Sequence, residues 1–270
     1  MSRKLLPAEL LLLLIAAIWG SSYSVVKTAL VYYPVAGVIA IRFLLTALLL
    51  ARYWLALPAG QKRATALVAL PTSLGLLAIF FAETAGVQQT TAGNAAFLVS
   101  LCLLLTPPVE WAWFGKRPAA RLWLAAIISL FGTWLLTGMG RGELNHGDML
   151  MLLAALIRAF QTCLTTHLTA GKQVDSMGLT AAQGLFVGGG ALFVAPWFFG
   201  GLPALPVAGE FWLAIAYLTL FCTLFAFWAM NRALAGSSPS KVALLLGSEP
   251  LWGALFAVFW LGESLGAQGW

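Results

Sequence analysis

Arg158 and Glu249, which stand near the middle of long apolar runs, are the first candidates for chemistry in this sequence. A charged side chain at the centre of a membrane helix costs about 2.5–3.5 kcal/mol on insertion scales, so each needs a partner or a water-filled cavity. The guanidinium fork of Arg158 could hold the carboxylate of a substrate. Equally, Arg158 could form an internal ion pair with Glu249, and the two contacts could alternate. A change in the protonation of Glu249 would then couple the site to protons.

A second ionisable pair, Arg42 and Glu83, lies nearer the ends of its apolar runs. The depths of the two residues are compatible with a mutual salt bridge, so we expect them to have a structural role. Glu110 lies one turn before Lys116 at the end of a run and is expected to reach water. Asn94 stands at the start of a later run, where its side chain is expected to cap the helix.

Residues 19–23 combine a large ring, a glycine and hydroxyl groups in the middle of the first apolar run. This mixture suits the wall of a substrate cavity, although Gly20 could serve only close helix packing. Two glutamines in later runs would lack hydrogen-bond partners against lipid, so they are expected to face the interior. The sequence therefore predicts these substrate-binding residues in a cavity: Trp19, Ser22, Tyr23, Arg158, Gln161, Gln183 and Glu249.

Glycine and proline residues within the runs are candidate gating points. Gly189 is the centre of three consecutive glycines, which predicts either a hinge or a point of close packing. A phosphate-binding loop is excluded there, because no Lys-Ser or Lys-Thr follows. Pro107 and Pro250 interrupt two other runs and are further candidates for flexible points.

The sequence carries no signature of an enzyme, a metal site or a cofactor site. It contains no HExxH or GxSxG motif, and its three cysteines lie inside apolar runs without CxxC spacing. We therefore expect no catalytic residue, no metal and no cofactor, and an intramembrane enzyme is disfavoured. The net charge of +6 is spread over single and paired basic residues, so nucleic acid is not an expected partner.

The elements that must position these residues are membrane helices. Hydrophobic residues make up 61% of the 270 residues and charged residues 9%, with a mean hydropathy of +0.92, whereas soluble domains carry about 25% charged residues. Runs of about 20 residues are long enough to cross a bilayer as helices. Proline, glycine and charged residues divide the chain into nine complete spans, near 8–29, 34–57, 65–86, 92–115, 119–138, 146–170, 175–199, 208–232 and 238–261. Residues 266–270 are expected to begin a tenth.

The distribution of basic residues predicts the orientation of these spans. Eleven Lys and Arg residues fall in loops or at span ends on one side of the membrane, whereas only Lys27 and Arg141 fall on the other side. Because basic residues remain on the cytoplasmic side, the N-terminus is expected in the cytoplasm of a bacterial-type inner membrane.

The chain also contains a weak internal repeat. Residues 91–107 parallel residues 234–250 at a constant offset of 143, and Ala16-Ala17 parallels Ala154-Ala155. Because each half holds five spans, the second copy must be inverted relative to the first. The predicted architecture is all-α, with residues 1–140 and 141–270 forming two inverted five-helix repeats around a central cavity.

Several short motifs, in order and at matching spacing, resemble one family: the EamA branch of the drug/metabolite transporter superfamily. They are Trp19-Gly20-Ser21-Ser22, Pro34 with Arg42-Phe43, Thr106-Pro107, Gly115-Lys116-Arg117, and Ser248-Glu249-Pro250 followed by Leu261-Gly262-Glu263. The resemblance covers nearly the whole chain, and YddG-type amino-acid exporters are similar to it. The chain departs from the family pattern at Ile157-Arg158 and in the shortened stretch between Pro107 and Gly115.

The resemblance implies ten helices in two bundles and export of amino acids, including aromatic or neutral ones, by alternating access. Other metabolite or multidrug efflux by the same fold, and a passive channel-like facilitator, are the alternatives. The expected partners are a small-molecule substrate and the lipid bilayer, and the expected state is a monomer or homodimer.

Overall fold

The structure is a computed structural model that describes residues 8–115, 117–137, 144–234 and 237–262. Within these ranges every regular element is a helix. The elements are α1 (Ala8–Leu30), α2 (Val35–Ala56), α3 (Ala59–Gln89), α4 (Ala92–Ser100), α5 (Cys102–Phe114), α6 (Ala120–Thr137), α7 (His146–Thr169), α8 (Ser176–Phe199), α9 (Gly209–Tyr217), a π-helix (Leu218–Phe225), α10 (Ala226–Leu234), α11 (Pro239–Leu246) and α12 (Glu249–Leu261).

Eight stretches of the described residues are long and apolar enough to cross a membrane, and α6 adds a ninth helix of 18 residues. Their bounds lie within about three residues of the spans predicted from the sequence, except that α3 begins at Ala59 rather than near residue 65. The start of the expected tenth helix, residues 266–270, lies outside the described residues. The predicted all-α membrane fold is therefore confirmed, with fewer than the expected ten membrane-spanning helices among the described residues.

The outer surface of the bundle is apolar, as a lipid environment requires. Large side chains such as Leu48, Phe193 and Phe259 are 70%, 73% and 80% exposed. In water, exposed apolar side chains of this size would favour aggregation. The polar side chains of the spans instead lie inside the bundle, which is the arrangement that a bilayer favours.

Three spans are interrupted near their middle. The span Ala92–Phe114 breaks at Leu101 between α4 and α5, and the span Pro239–Leu261 breaks at Gly247 and Ser248 between α11 and α12. The second break directly precedes Pro250, which lacks an N–H and whose ring would clash with the carbonyl four residues earlier. A third span contains the π-helix, a rare element that often marks functional sites.

Small residues let the helices approach closely at two crossings. Where α2 meets α8, a Cβ on Gly184 would lie 2.9 Å from a backbone oxygen of α2, and one on Gly188 would lie 2.7 Å from a leucine of α2. Where α1 meets α12, a Cβ on Gly20 would lie 2.6 Å from the Glu249 carbonyl oxygen. Gly20 therefore serves close packing. By contrast, a Cβ on Gly189 would meet nothing within 4 Å, so the packing role expected there belongs to its neighbours instead.

The two halves of the chain are joined by polar contacts at opposite ends of the bundle. At the end where α3 finishes, the Thr90 hydroxyl donates to Asp148 of α7 at 2.6 Å. At the other end, the backbone N–H of Ser240 donates to Glu110 of α5 at 2.9 Å, and the Ser240 hydroxyl donates to the same carboxylate oxygen. Glu110, expected to reach water, is half-buried and accepts from Ser240 in the first turn of α11, whose N-cap is Ser238.

Candidate functional site

A central cavity lies between the two halves and is bordered by most of the spans. Its empty volume is about 1150 Å³, including the part open to solvent. All seven of the predicted substrate-binding residues line this one cavity, together with Arg42 and Glu83. Asn94, Pro107, Gly189 and Pro250 are not among its described lining residues.

Arg158 of α7 lies at the centre of the polar wall and contacts two carboxylates. Its Nη1 lies 3.1 Å from Glu249 Oε2 and 3.4 Å from Oε1, and its Nη2 lies 3.2 Å from Glu83 Oε2. The expected pair with Glu249 is therefore present, with a second carboxylate added from α3. The side chains of Arg158, Glu249 and Glu83 are 17%, 4% and 11% exposed.

Two aromatic side chains from α1 complete this group. The Tyr23 hydroxyl donates to Glu249 Oε1, and the ring of Trp19 lies 5.2 Å from the Arg158 guanidinium carbon. We call Trp19, Tyr23, Glu83, Arg158 and Glu249 the charged cluster. The Trp19 ring is held in place because its indole N–H donates to a carbonyl of the π-helix at 2.9 Å. The negative charge of Glu249 is further stabilised by the helix dipole, because Glu249 lies in the first turn of α12.

The expected salt bridge between Arg42 and Glu83 is wrong, because Glu83 pairs with Arg158 instead. Arg42 donates through Nε to the hydroxyl of Thr223 in the π-helix. Its guanidinium carbon lies 4.9 Å from the centre of the Phe80 ring and 5.5 Å from that of Phe43. At its depth in the membrane, Glu83 could have paired with either Arg42 or Arg158. The rotation of α7 about its axis brings Arg158 to Glu83, and the sequence does not reveal that rotation.

A second polar group, made of Thr72, Gln161, Gln183 and Asn231, borders the cavity through its three amide side chains; we call it the amide cluster. Gln161 donates to the Thr72 carbonyl at 2.8 Å, and Gln183 donates to the Thr72 hydroxyl at 3.0 Å. Asn231 in turn donates to Gln183 Oε1 at 3.2 Å. Gln161 and Gln183 are 7% and 2% exposed, so both face the interior as expected. The cluster joins α3, α7, α8 and α10.

The remaining predicted residues contact the backbone of their own helices or lie within them. Ser22 lines the cavity, but its hydroxyl donates to the Trp19 carbonyl within α1. The capping role expected for Asn94 is wrong: the cap is Thr91, whose hydroxyl accepts the Asn94 backbone N–H at 3.1 Å. Pro250 lies in the first turn of α12, and Pro107 is buried within α5.

Two contributions to the site were not foreseen. Asn231 precedes Arg232 and was placed at a span end, but its span continues to Leu234, which leaves Asn231 buried at 8% exposure. A longer estimate of that span would have revealed it. Thr223 owes its position to the π-helix, for which the sequence gives no signal.

Comparison with known proteins agrees with this architecture. The model of the EamA-like transporter family matches residues 6–138 and, separately, residues 145–270. An "Uncharacterized transporter" of Archaeoglobus fulgidus is 26% identical over 266 residues, which cover 97% of this chain and 80% of that protein. The "Uncharacterized inner membrane transporter YedA" of Escherichia coli K12 is 27% identical over 277 residues, covering 99% of this chain and 87% of that protein.

A solved crystal structure shares the fold, with a TM-score of 0.75 at 17% identity over 97% of this chain and 91% of that one. This likeness supports the arrangement of the helices. The family match carries the assignment further, because it extends over both halves of the bundle that enclose the cavity. The chain is therefore a multi-pass membrane transporter that belongs to the EamA-like transporter family.

Proposed function

We propose that this protein is a secondary transporter that exports small metabolites bearing an ammonium group, most simply neutral or aromatic amino acids, across the inner membrane. Substrate binds in the central cavity, and the two halves expose it to either side in turn. The N-terminus lies in the cytoplasm. The protein performs no chemistry on the substrate, and it works as a monomer or homodimer.

The observation that carries this proposal is the charge of the charged cluster. One guanidinium faces two carboxylates, Glu83 and Glu249, at 3.2 and 3.1 Å. The described side-chain contacts to Glu249 come from donors, namely Arg158 and the Tyr23 hydroxyl, and such donors favour the ionised carboxylate against its burial. With both carboxylates ionised, the cluster holds one negative charge in excess. A buried excess charge favours a ligand of opposite sign, such as an ammonium group.

Alternating access is supported by the links between the halves. The Thr90–Asp148 contact and the Ser240–Glu110 contact lie at opposite ends of the bundle, and each joins the first half to the second. Breaking one while keeping the other would open the cavity to one side only. The sequence holds no ATP-binding loop, so a gradient of substrate or of a coupled ion supplies the energy.

Uptake into proteoliposomes tests the proposal. We expect saturable uptake of at least one radiolabelled amino acid from a panel of neutral, aromatic and charged members, with stimulation by the same compound on the far side. A channel would show neither saturation nor stimulation. The Glu249→Gln variant should lose at least about tenfold in uptake, whereas the matched control Glu210→Gln, which changes an exposed carboxylate at a span end, should retain it. Absence of uptake for every amino acid would reject this substrate class.

A further inference from the structure

Arg42 is a buried cation that forms no salt bridge with a carboxylate of the described residues, although Glu83 lies near enough to act on its charge. Its side chain is 5% exposed and lines the central cavity. The ion pairs of the cavity all involve Arg158, and the contacts of Arg42 are one hydroxyl and two aromatic rings. A buried charge without a counter-ion is strongly unfavourable. The protein keeps this cation where a ligand can reach it.

The geometry of Arg42 suits an anion with two oxygens. Nε is engaged by the Thr223 hydroxyl, which itself donates to the Leu218 carbonyl at 2.8 Å and is therefore fixed in orientation. The four N–H groups on the two terminal nitrogens of Arg42 donate to no described acceptor of the protein. These groups form a planar fork that matches a carboxylate in a bidentate pair. The rings of Phe80 and Phe43 hold the guanidinium by cation–π contact without supplying negative charge.

Arg42 also lies close to the charged cluster. Its guanidinium packs over Phe80, and Glu83 follows Phe80 by three residues on α3. Residues three apart on a helix share a face, with Cβ atoms about 5–6 Å apart. The unpaired cation and the excess negative charge thus face the same cavity about one helical turn apart. The carboxylate and ammonium of an amino acid sit on a single carbon atom and can engage both.

We propose that Arg42 is the residue that binds the carboxylate of the substrate, while the charged cluster receives the ammonium group. This inference rests on the proposed function and deepens it: the ligand class becomes zwitterionic, and specificity for a carboxylate resides in Arg42 rather than in Arg158. Arg158 is already paired with Glu83 and Glu249, so a ligand carboxylate would compete with both of them for its charge.

The test compares ligands with and without the carboxylate. Competition for the uptake of a radiolabelled amino acid is measured on full-length protein in proteoliposomes. L-phenylalanine is compared with phenethylamine as competitor, and L-leucine with isopentylamine. A charge-assisted pair corresponds to a preference of roughly 10- to 150-fold. The wild-type protein should prefer each amino acid over its amine by such a factor, and in Arg42→Gln the ratio should fall to about one. The Arg52→Gln variant, which changes an exposed arginine, should keep both affinity and ratio.

Glu249→Gln separates the two ends of the site, because it should weaken amino acid and amine alike and leave their ratio unchanged. If Arg42→Gln does not fold, Thr223→Ala replaces it, and the ratio should fall at least threefold because the fork loses its orientation. A wild-type protein that does not distinguish amino acid from amine overturns the inference. So does a ratio that survives the change at Arg42 or Thr223. If neither amino acid competes and no member of the amino-acid panel is taken up, the proposed function itself fails.

Discussion

The charged cluster and the amide cluster border the same cavity but are built in different ways. In the charged cluster, one guanidinium is shared between Glu83 and Glu249, so a partner can be exchanged for a ligand group. In the amide cluster, Gln183 both donates to Thr72 and accepts from Asn231, which leaves its amide oxygen and nitrogen engaged by protein. The difference teaches that burial in a cavity wall does not by itself make a polar residue a ligand contact. We assign substrate binding to the charged cluster and helix positioning chiefly to the amide cluster.

The largest effect is expected when Arg158, the cation shared by the two carboxylates, is removed. Arg158→Ala leaves Glu83 and Glu249 without their counter-ion, and loss of one partner of a buried pair costs about 3–5 kcal/mol. We expect a large fall in the thermal unfolding temperature in detergent and loss of uptake in proteoliposomes.

A triple variant separates stability from function in this cluster. Arg158→Met combined with Glu83→Gln and Glu249→Gln removes the charges together, so most of the thermal stability should return. Uptake should remain absent, because the ammonium group has lost its carboxylates. Recovery of uptake in the triple variant would show that the charged cluster is only a structural ion pair.

A smaller effect is expected in the amide cluster. Gln183→Leu keeps the approximate volume but removes the hydrogen bonds to Thr72 and Asn231, while Asn231 retains its bond to Thr180 at 3.2 Å. We expect a loss of about 1–3 kcal/mol in stability, as for other unpartnered buried polar groups. The KM for the transported amino acid should change by less than about threefold. A large rise in KM with unchanged stability would instead make Gln183 a ligand contact.

The sequence was sufficient to predict the helices and several polar residues of the cavity, for reasons that these clusters illustrate. Hydropathy fixes the spans because the bilayer requires about 20 apolar residues for each crossing. Arg158 and Glu249 were identified as candidates because charged residues at that depth in a membrane are rare and need a partner or a water-filled cavity.

The pairing of these residues could not be predicted in the same way. Which carboxylate meets which guanidinium depends on how each helix is rotated about its axis, and neither depth nor span length contains that information. Arg42 was therefore given Glu83 as its partner, although Glu83 belongs to Arg158. The π-helix that presents Thr223 to Arg42 has no sequence signal at all.

The smallest expected effect sharpens the comparison within the amide cluster. Gln161 makes one good hydrogen bond, to the Thr72 carbonyl at 2.8 Å, while its Oε1 is buried without a described partner. A buried acceptor without a donor is itself costly, so its removal offsets the lost bond. We expect Gln161→Met to change the free energy of unfolding by less than about 0.5 kcal/mol, well below the effect of Gln183→Leu, in parallel thermal melts. A loss above about 1.5 kcal/mol would mean that Oε1 does have a partner, such as a bound water, and that the two glutamines contribute equally to holding the helices.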